Sequence, residues 1–231
     1  MPRRSLQLAV IGGLFFGTDM ALWSTGVVMS GATNPTLLSN IAPLWVGLGA
    51  ILFFEEKLNL KFWTGLMLAL ADTAIILGLD GLRSEPLDAG SLLGLLSSVF
   101  YGGYFLITQR GRETLDSLTF LWPATASAAG GLFILNLILG YPLTGYSPLT
   151  CLISLALGLI PQVCGYLVIN YALGYLPASV VSPTMLGQPA MTAVMAWLLL
   201  DEALSLKQIL GGLTVLGGVY LVHHSRQKNQ T

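Results

Sequence analysis

Eight apolar runs, each about the length needed to cross a bilayer, constrain this chain more than any other feature of its sequence. A hydrocarbon layer about 30 Å thick takes about 20 consecutive apolar residues in helical form. Runs of that kind occupy positions 6–30, 36–54, 61–79, 91–108, 118–140, 151–174, 179–200 and 205–223, and the longest linkers, 80–90 and 140–150, are about a dozen residues. Alternating polar and apolar positions, the signature of a membrane β-barrel, are missing from these runs. The expected fold is therefore all-α, a polytopic transmembrane bundle of about eight helices, in which each backbone amide is satisfied within its own helix. With 9% charged residues, against about 25% in soluble domains, no soluble domain large enough for independent chemistry is expected.

Net charge is −1, and the basic residues stand singly or in pairs at run ends, which excludes a nucleic-acid surface. They report orientation instead. With a cytoplasmic N-terminus, Arg3, Arg4, Lys57, Lys61, Arg110, Arg112, Arg226 and Lys228 fall inside, and only Arg83 and Lys207 fall outside. Both termini are then cytoplasmic, in a multi-pass protein of the plasma membrane. The first run lacks a following cleavage site and is expected to stay as a span. Cys151 and Cys164 have no metal-ligand company, and His223 and His224 read as a cationic flank, so no metal or cofactor is expected.

Shifting the chain by 146 positions aligns Pro43 with Pro189, Glu55 with Asp201, Glu56 with Glu202, Leu58 with Leu204, Lys61 with Lys207 and Gly65 with Gly211. Coincident leucines mean little in so apolar a chain, but aligned proline, acidic, lysine and glycine positions mark an internal repeat. The two copies face opposite sides of the membrane, so the repeat is inverted, the architecture by which many secondary transporters alternate access. Positions 1–80 form a first repeat of three helices, 91–224 a second of five, and 225–231 a cytoplasmic tail. Helices matching 91–146 are lacking at the front of the first repeat.

These paired segments, Pro43 to Gly65 with Glu-Glu-Lys-Leu and Pro189 to Gly212 with Asp-Glu-Ala-Leu, resemble the drug/metabolite transporter superfamily, and within it the EamA-type ten-helix exporters. The resemblance maps the chain onto family helices three to ten. It implies a permease that carries small metabolites, amino acids or drugs through a cavity between the repeats. Because two helices of the family pattern are lacking, a truncated, non-transporting membrane protein or subunit is the alternative. A membrane-embedded enzyme ranks below both, since no histidine lies at depth and the two intramembrane acids stand far apart.

Those acids, Asp19 and Asp72, are the candidate functional charges, because an intramembrane carboxylate is tolerated where it meets a cavity or a partner. Asp19, one turn before Trp23, suits a cationic group through ionic and cation–π contact, or a coupling proton. Asp72, beside Thr73, is secondary and reads as a structural hydrogen bond. Gln162, Tyr166 and Asn170 recur at i, i+4 and i+8, a polar stripe expected to face one central cavity together with Asp19 and Trp23. Interhelical hydrogen bonding is the bland alternative for that stripe. Asn40 and Gln188 lie near Pro43 and Pro189, where a proline frees carbonyls, and Tyr101 and Tyr104 sit mid-span. Glu56, Glu202, Gly65, Gly211 and the two prolines carry the repeat and read as structural. The expected partners are the lipid bilayer, an unidentified small-molecule substrate and a coupling proton, with a homodimer as a further state. From this topology, a membrane-impermeant reagent should reach Ser84 in intact cells and the connector at Gly111 only after permeabilisation; the opposite pattern would reverse the orientation.

Overall fold

A computed structural model describes residues 3–77, 88–200 and 205–227, and among them every regular element is helical. In chain order these are α1 (Arg3–Ser30), α2 (Thr33–Ser39), α3 (Ala42–Phe54), α4 (Leu60–Leu77), α5 (Ala89–Arg112), α6 (Ser117–Leu139), α7 (Pro148–Leu157), a π-helical segment (Gly158–Gly165), α8 (Tyr166–Leu173), α9 (Ala178–Thr184), a 3₁₀ turn (Met185–Gly187), α10 (Gln188–Leu200) and α11 (Leu206–Gln227). They lie along the eight apolar runs of the sequence, numbered as traverses in chain order. Among the described residues, five stretches are long and apolar enough by themselves to cross a bilayer: Arg3–Ser30, Thr33–Phe54, Ala89–Arg112, Ser117–Leu139 and Pro148–Leu173.

Short polar signals set the helix ends. Asp88 accepts from the Ser91 amide at 2.8 Å, Asp116 from Thr119 N at 3.0 Å, and the Ser147 hydroxyl from Thr150 N at 3.1 Å, each satisfying an amide the first turn would leave orphaned. The nearby Ser30 and Ser91 hydroxyls, and then the Ser91 amide, hold the Asp88 carboxyl down at about 2. Gly140 (φ 69°) closes α6 and Glu55 (φ 53°) closes α3, both in the left-handed conformation that ends helices.

Two traverses are broken, and the breaks coincide under the 146-residue shift. Pro43 has no N–H for the Ser39 carbonyl, and Pro189 has none for that of Met185. The second traverse accordingly kinks between Ser39 and Ala42, where the Asn40 side-chain amide donates to the Thr36 carbonyl at 3.0 Å. The seventh tightens into the 3₁₀ turn at Met185–Gly187. A third irregularity, around Pro161, relaxes into i→i+5 bonding over Gly158–Gly165.

Packing rests on close backbone approach, since lipid supplies no hydrophobic drive between helices. α1 is enclosed by α5 and α6. α4 and α11 cross antiparallel, with Asn59 donating to the Ser225 carbonyl at 3.3 Å at one end of the contact and Gly65 facing Gly218 further along. Ala69 and Val215, which the 146-residue shift aligns, are both fully buried in this crossing. Such an antiparallel crossing of matched helices is what an in-plane two-fold produces. By contrast, α7 and the π segment, the sequence images of much of α1, bury no residue.

A Cβ on Gly65 would stand 2.7 Å from the Gly218 carbonyl oxygen, and one on Gly218 equally close to that of Gly65; neither backbone can yield. Gly65→Val is therefore expected to lower the thermal midpoint in detergent, with an overpacking penalty of about 1–3 kcal/mol. Gly130→Ala, at a position with nothing within 4 Å, should leave the midpoint unchanged or raise it. Equal effects of the two substitutions would remove the close crossing as a determinant.

Candidate functional site: a cavity at two helix breaks

Both breaks open onto one cavity of about 500 Å³. Ser39, Asn40 and Pro43 reach it from the second traverse, and Met185, Gln188 and Pro189 from the seventh. α1 contributes Asp19, Met20 and Trp23, α5 contributes Tyr101 and Phe105, and α8 contributes Tyr166. Thr192 of α10 and Gln208 of α11 line the end away from Glu56.

Aromatic rings wall the cavity. Tyr101 and Tyr104 lie parallel with centroids 6.4 Å apart, Tyr104 meets Tyr166 edge-on at 5.9 Å, and Phe16 meets Tyr166 at 4.5 Å. Trp23 is held by its indole N–H, which donates to the Thr36 hydroxyl at 3.1 Å. Asp19 is the single acidic or basic side chain among the lining residues. It is 2% exposed, and its Oδ1 has no hydrogen-bond partner. Ser97, fully buried, donates to the Ser39 hydroxyl at 3.0 Å.

Of the residues singled out by sequence, Asp19, Trp23, Tyr166, Asn40, Gln188 and Tyr101 share this cavity. Gln162, Tyr104 and Asn170 do not. Gln162 and Tyr104 border a separate, mostly apolar space of about 280 Å³ beyond Tyr166. Asn170 is fully buried and donates to Tyr104 Oη at 2.9 Å and to the Tyr166 carbonyl at 3.1 Å. Tyr166 borders both spaces, so Gln162 still shares an apolar space with it, and Gln162 donates to Met20 Sδ at 3.9 Å instead of reaching the first cavity.

The side chain of Asp72, and Glu202 altogether, lie outside the described residues. Glu56 is half-buried and accepts a hydrogen bond from Ser179 Oγ at 2.6 Å, beside Gln109 Oε1, which accepts from the Ala178 amide at 2.6 Å. Together they pin the start of α9 to α5 and the turn after α3. Gly211, like Gly65, is buried between helices. Sequence reading passed over Ser39, Ser97 and Ser182. Each is a small hydroxyl in an apolar helix, and Ser182 borders the cavity with its Oγ unpartnered. Their signal was an in-membrane polar atom that must find a partner, which for serine is weak because its own i−4 carbonyl suffices.

A multi-pass helical bundle with a polar-lined cavity between two matched helix breaks has the architecture of a membrane transporter. The chain belongs to the EamA-like transporter family, whose model matches residues 88–223, more than half its length. It is similar to an uncharacterized transporter, YdfC, of Bacillus subtilis, at 26% identity over 91% of this chain and 68% of that one. A second similar protein is an uncharacterized transporter of Synechocystis, at 27% identity over 82% of this chain and 58% of that one. A third, an uncharacterized transporter of Methanothermobacter thermautotrophicus, is 25% identical over 87% and 60%. The chain thus spans between 58% and 68% of the length of these relatives. In fold it is similar to a crystal structure matched with a TM-score of 0.77 at 17% identity, covering 96% of this chain and 76% of the other.

Water-filled and lipid-facing positions should be separable by thiol chemistry, because only an ionised thiol reacts and hydrocarbon suppresses ionisation. In a Cys151→Ser, Cys164→Ser background, Thr192→Cys should react with a small charged methanethiosulfonate. Leu198→Cys, on the outer surface of the same helix, should not. Equal labelling of both would place Thr192 outside any aqueous cavity.

Proposed function

We propose that this chain moves small metabolites, amino acids or drugs across the cytoplasmic membrane by alternating access, with the cavity at the two helix breaks as the substrate site. The observation that carries this reading is the meeting of both proline breaks and one intramembrane carboxyl in a single cavity. Half-helices leave carbonyls and amides without intrahelical partners, and such groups bind solutes at mid-membrane. Asp19 supplies the charge, for a cationic group or for a coupling proton, and Trp23, Tyr101 and Tyr166 supply the aromatic faces. Asn40 and Gln188 supply amides at the breaks. The first three traverses and the last five act as the two repeats, rocking about the α4–α11 crossing. Release toward the Glu56 end then requires the Ser179–Glu56 and Ala178–Gln109 hydrogen bonds to open.

A second reading has one specific support. α7 and the π segment bury no residue, so among the described residues this helix face of the bundle is left without a neighbour from the chain itself. In that reading the chain is a subunit, including of a homodimer, and its activity belongs to the assembly.

The test is uptake and efflux of a labelled panel of cationic, zwitterionic and neutral metabolites by cells or vesicles containing the chain, against empty controls. Altered accumulation of at least one class is expected, abolished by Asp19→Asn and retained in part by Asp72→Asn. If no class moves, or Asp19→Asn transports as the parent does with the same pH dependence, the cavity is not the transport site.

A further inference from the structure

The transport reading leaves the smaller space beyond Tyr166 unused. That space, of about 280 Å³, is bounded by α1, α6, the π segment and the start of α8. Met20 and Tyr166 line it and the larger cavity alike, so the two adjoin at those side chains. On α1, Asp19 and Met20 are consecutive, about 1.5 Å apart along the axis and about 100° around it. Asp19 therefore faces the larger cavity with Trp23, Phe16 faces only the smaller space, and Met20 stands at the edge between them.

The two shared residues differ in freedom. Tyr166 is packed by Phe16 at 4.5 Å and by Tyr104 at 5.9 Å, and Tyr104 Oη accepts a hydrogen bond from Asn170 at 2.9 Å, so this part of the partition is fixed. Met20 is unbranched, with three rotatable bonds. Gln162 Nε2 donates to its Sδ at 3.9 Å, and a thioether is a weak acceptor, so Met20 swings aside at little cost. Behind it, Ala124, Thr125, Ala128 and Ala129 of α6 present small side chains between Leu121 and Leu132, and the lining residues are uncharged. An apolar cavity of about 150 Å³ takes up benzene, so the space has room for an aromatic ring or a short alkyl chain.

From this adjacency we infer that the substrate site is bipartite: the larger cavity takes an ammonium group at Asp19, and the space behind Met20 and Tyr166 takes the apolar side group of the same molecule. The inference rests on the larger cavity being the substrate site, and it names the substrate class, amines that carry an aromatic or short alkyl group. Asp19 Oδ1, which has no hydrogen-bond partner, is the acceptor for the ammonium. The opening toward a carboxyl favours a molecule with both groups over a lipid acyl chain, which gains nothing from a charged neighbour. Thr125, Ala129 and Leu132 then set the size of side group accepted, and Met20 is the movable partition.

The test is equilibrium binding of ethyl-, n-butyl-, n-hexyl-, n-octyl- and phenethylammonium to the full chain in lipid nanodiscs, with n-hexanol as a neutral probe. Affinity is expected to rise about fourfold per added methylene until the space is full. Thr125→Phe and Ala129→Leu, at exposed positions of the lining, should each lower the ratio of n-hexyl- to ethylammonium affinity on the order of tenfold, the loss of about two buried methylenes. Leu132→Ala, which enlarges the space, should carry the gain on to n-octylammonium. Asp19→Asn should weaken every amine by one common factor and leave n-hexanol unchanged. A length dependence that neither filling nor enlarging alters overturns the bipartite site, while Asp19-dependent binding of ethylammonium in that case keeps the permease reading. n-Hexanol bound as tightly as n-hexylammonium would make the space an acyl-chain site and overturn the inference. Length-dependent binding in a chain that transports none of these amines keeps the bipartite site and removes the permease reading, and binding of no amine removes both.

Discussion

Hydrocarbon offers no hydrogen bonds, and the whole organisation of this protein follows from that. In the membrane each backbone N–H and C=O must be satisfied by the chain itself, so continuous helices are the default and any interruption marks a place where something else does the satisfying. Pro43 and Pro189 impose two such interruptions at matched positions. At one break the Asn40 side chain adds a second hydrogen bond to the Thr36 carbonyl, and the 3₁₀ turn at Met185–Gly187 reorganises the other. The remaining demand is met at the cavity, which exists because two broken helices cannot pack as tightly as two straight ones.

Around the breaks the architecture is conservative. Glycines let α4 and α11 approach to backbone contact, and α1 is gripped by α5 and α6, so the frame is held by dispersion at short range rather than by large apolar side chains. Large apolar residues such as Leu52, Phe53 and Trp122 point outward instead, where lipid replaces water as their solvent. This inversion of the soluble pattern leaves the interior to small and polar residues. It is why serines, tyrosines and one aspartate meet at the centre, and why a few hydrogen bonds of about 3 Å carry so much of the site's organisation.

The helical membrane bundle and its family were legible in the sequence because apolar run length and a duplicated Pro…Glu…Gly pattern survive translation into one dimension. The cavity was legible in part. Asp19, Trp23 and Tyr166 were placed by helical periodicity from their repeat images, and the structure brings them together. Gln162 instead borders a neighbouring apolar space with Tyr166 and donates to Met20, from a π segment around Pro161 whose register leaves no distinctive trace in the local composition. Asn170 stayed in register with Tyr166 but packs beneath it, bonded to Tyr104. Ser39 and Ser97 were invisible as a pair, being separated by 58 residues and individually ordinary.

What the sequence determined by itself is the element list and its symmetry: which segments span, where prolines must interrupt them, and which positions correspond. Those properties are local or periodic, and the bilayer's fixed thickness and lack of hydrogen bonds leave a chain of this composition few alternatives. What only the tertiary structure decided is which polar atoms find one another. That depends on the angle and depth at which helices from distant parts of the chain cross, and a rotation of a fraction of a turn about a helix axis exchanges cavity for lipid. The hydroxyl contact from Ser97 to Ser39 joins α5 to α2 and exists only because glycine-mediated packing brings them within hydrogen-bonding distance.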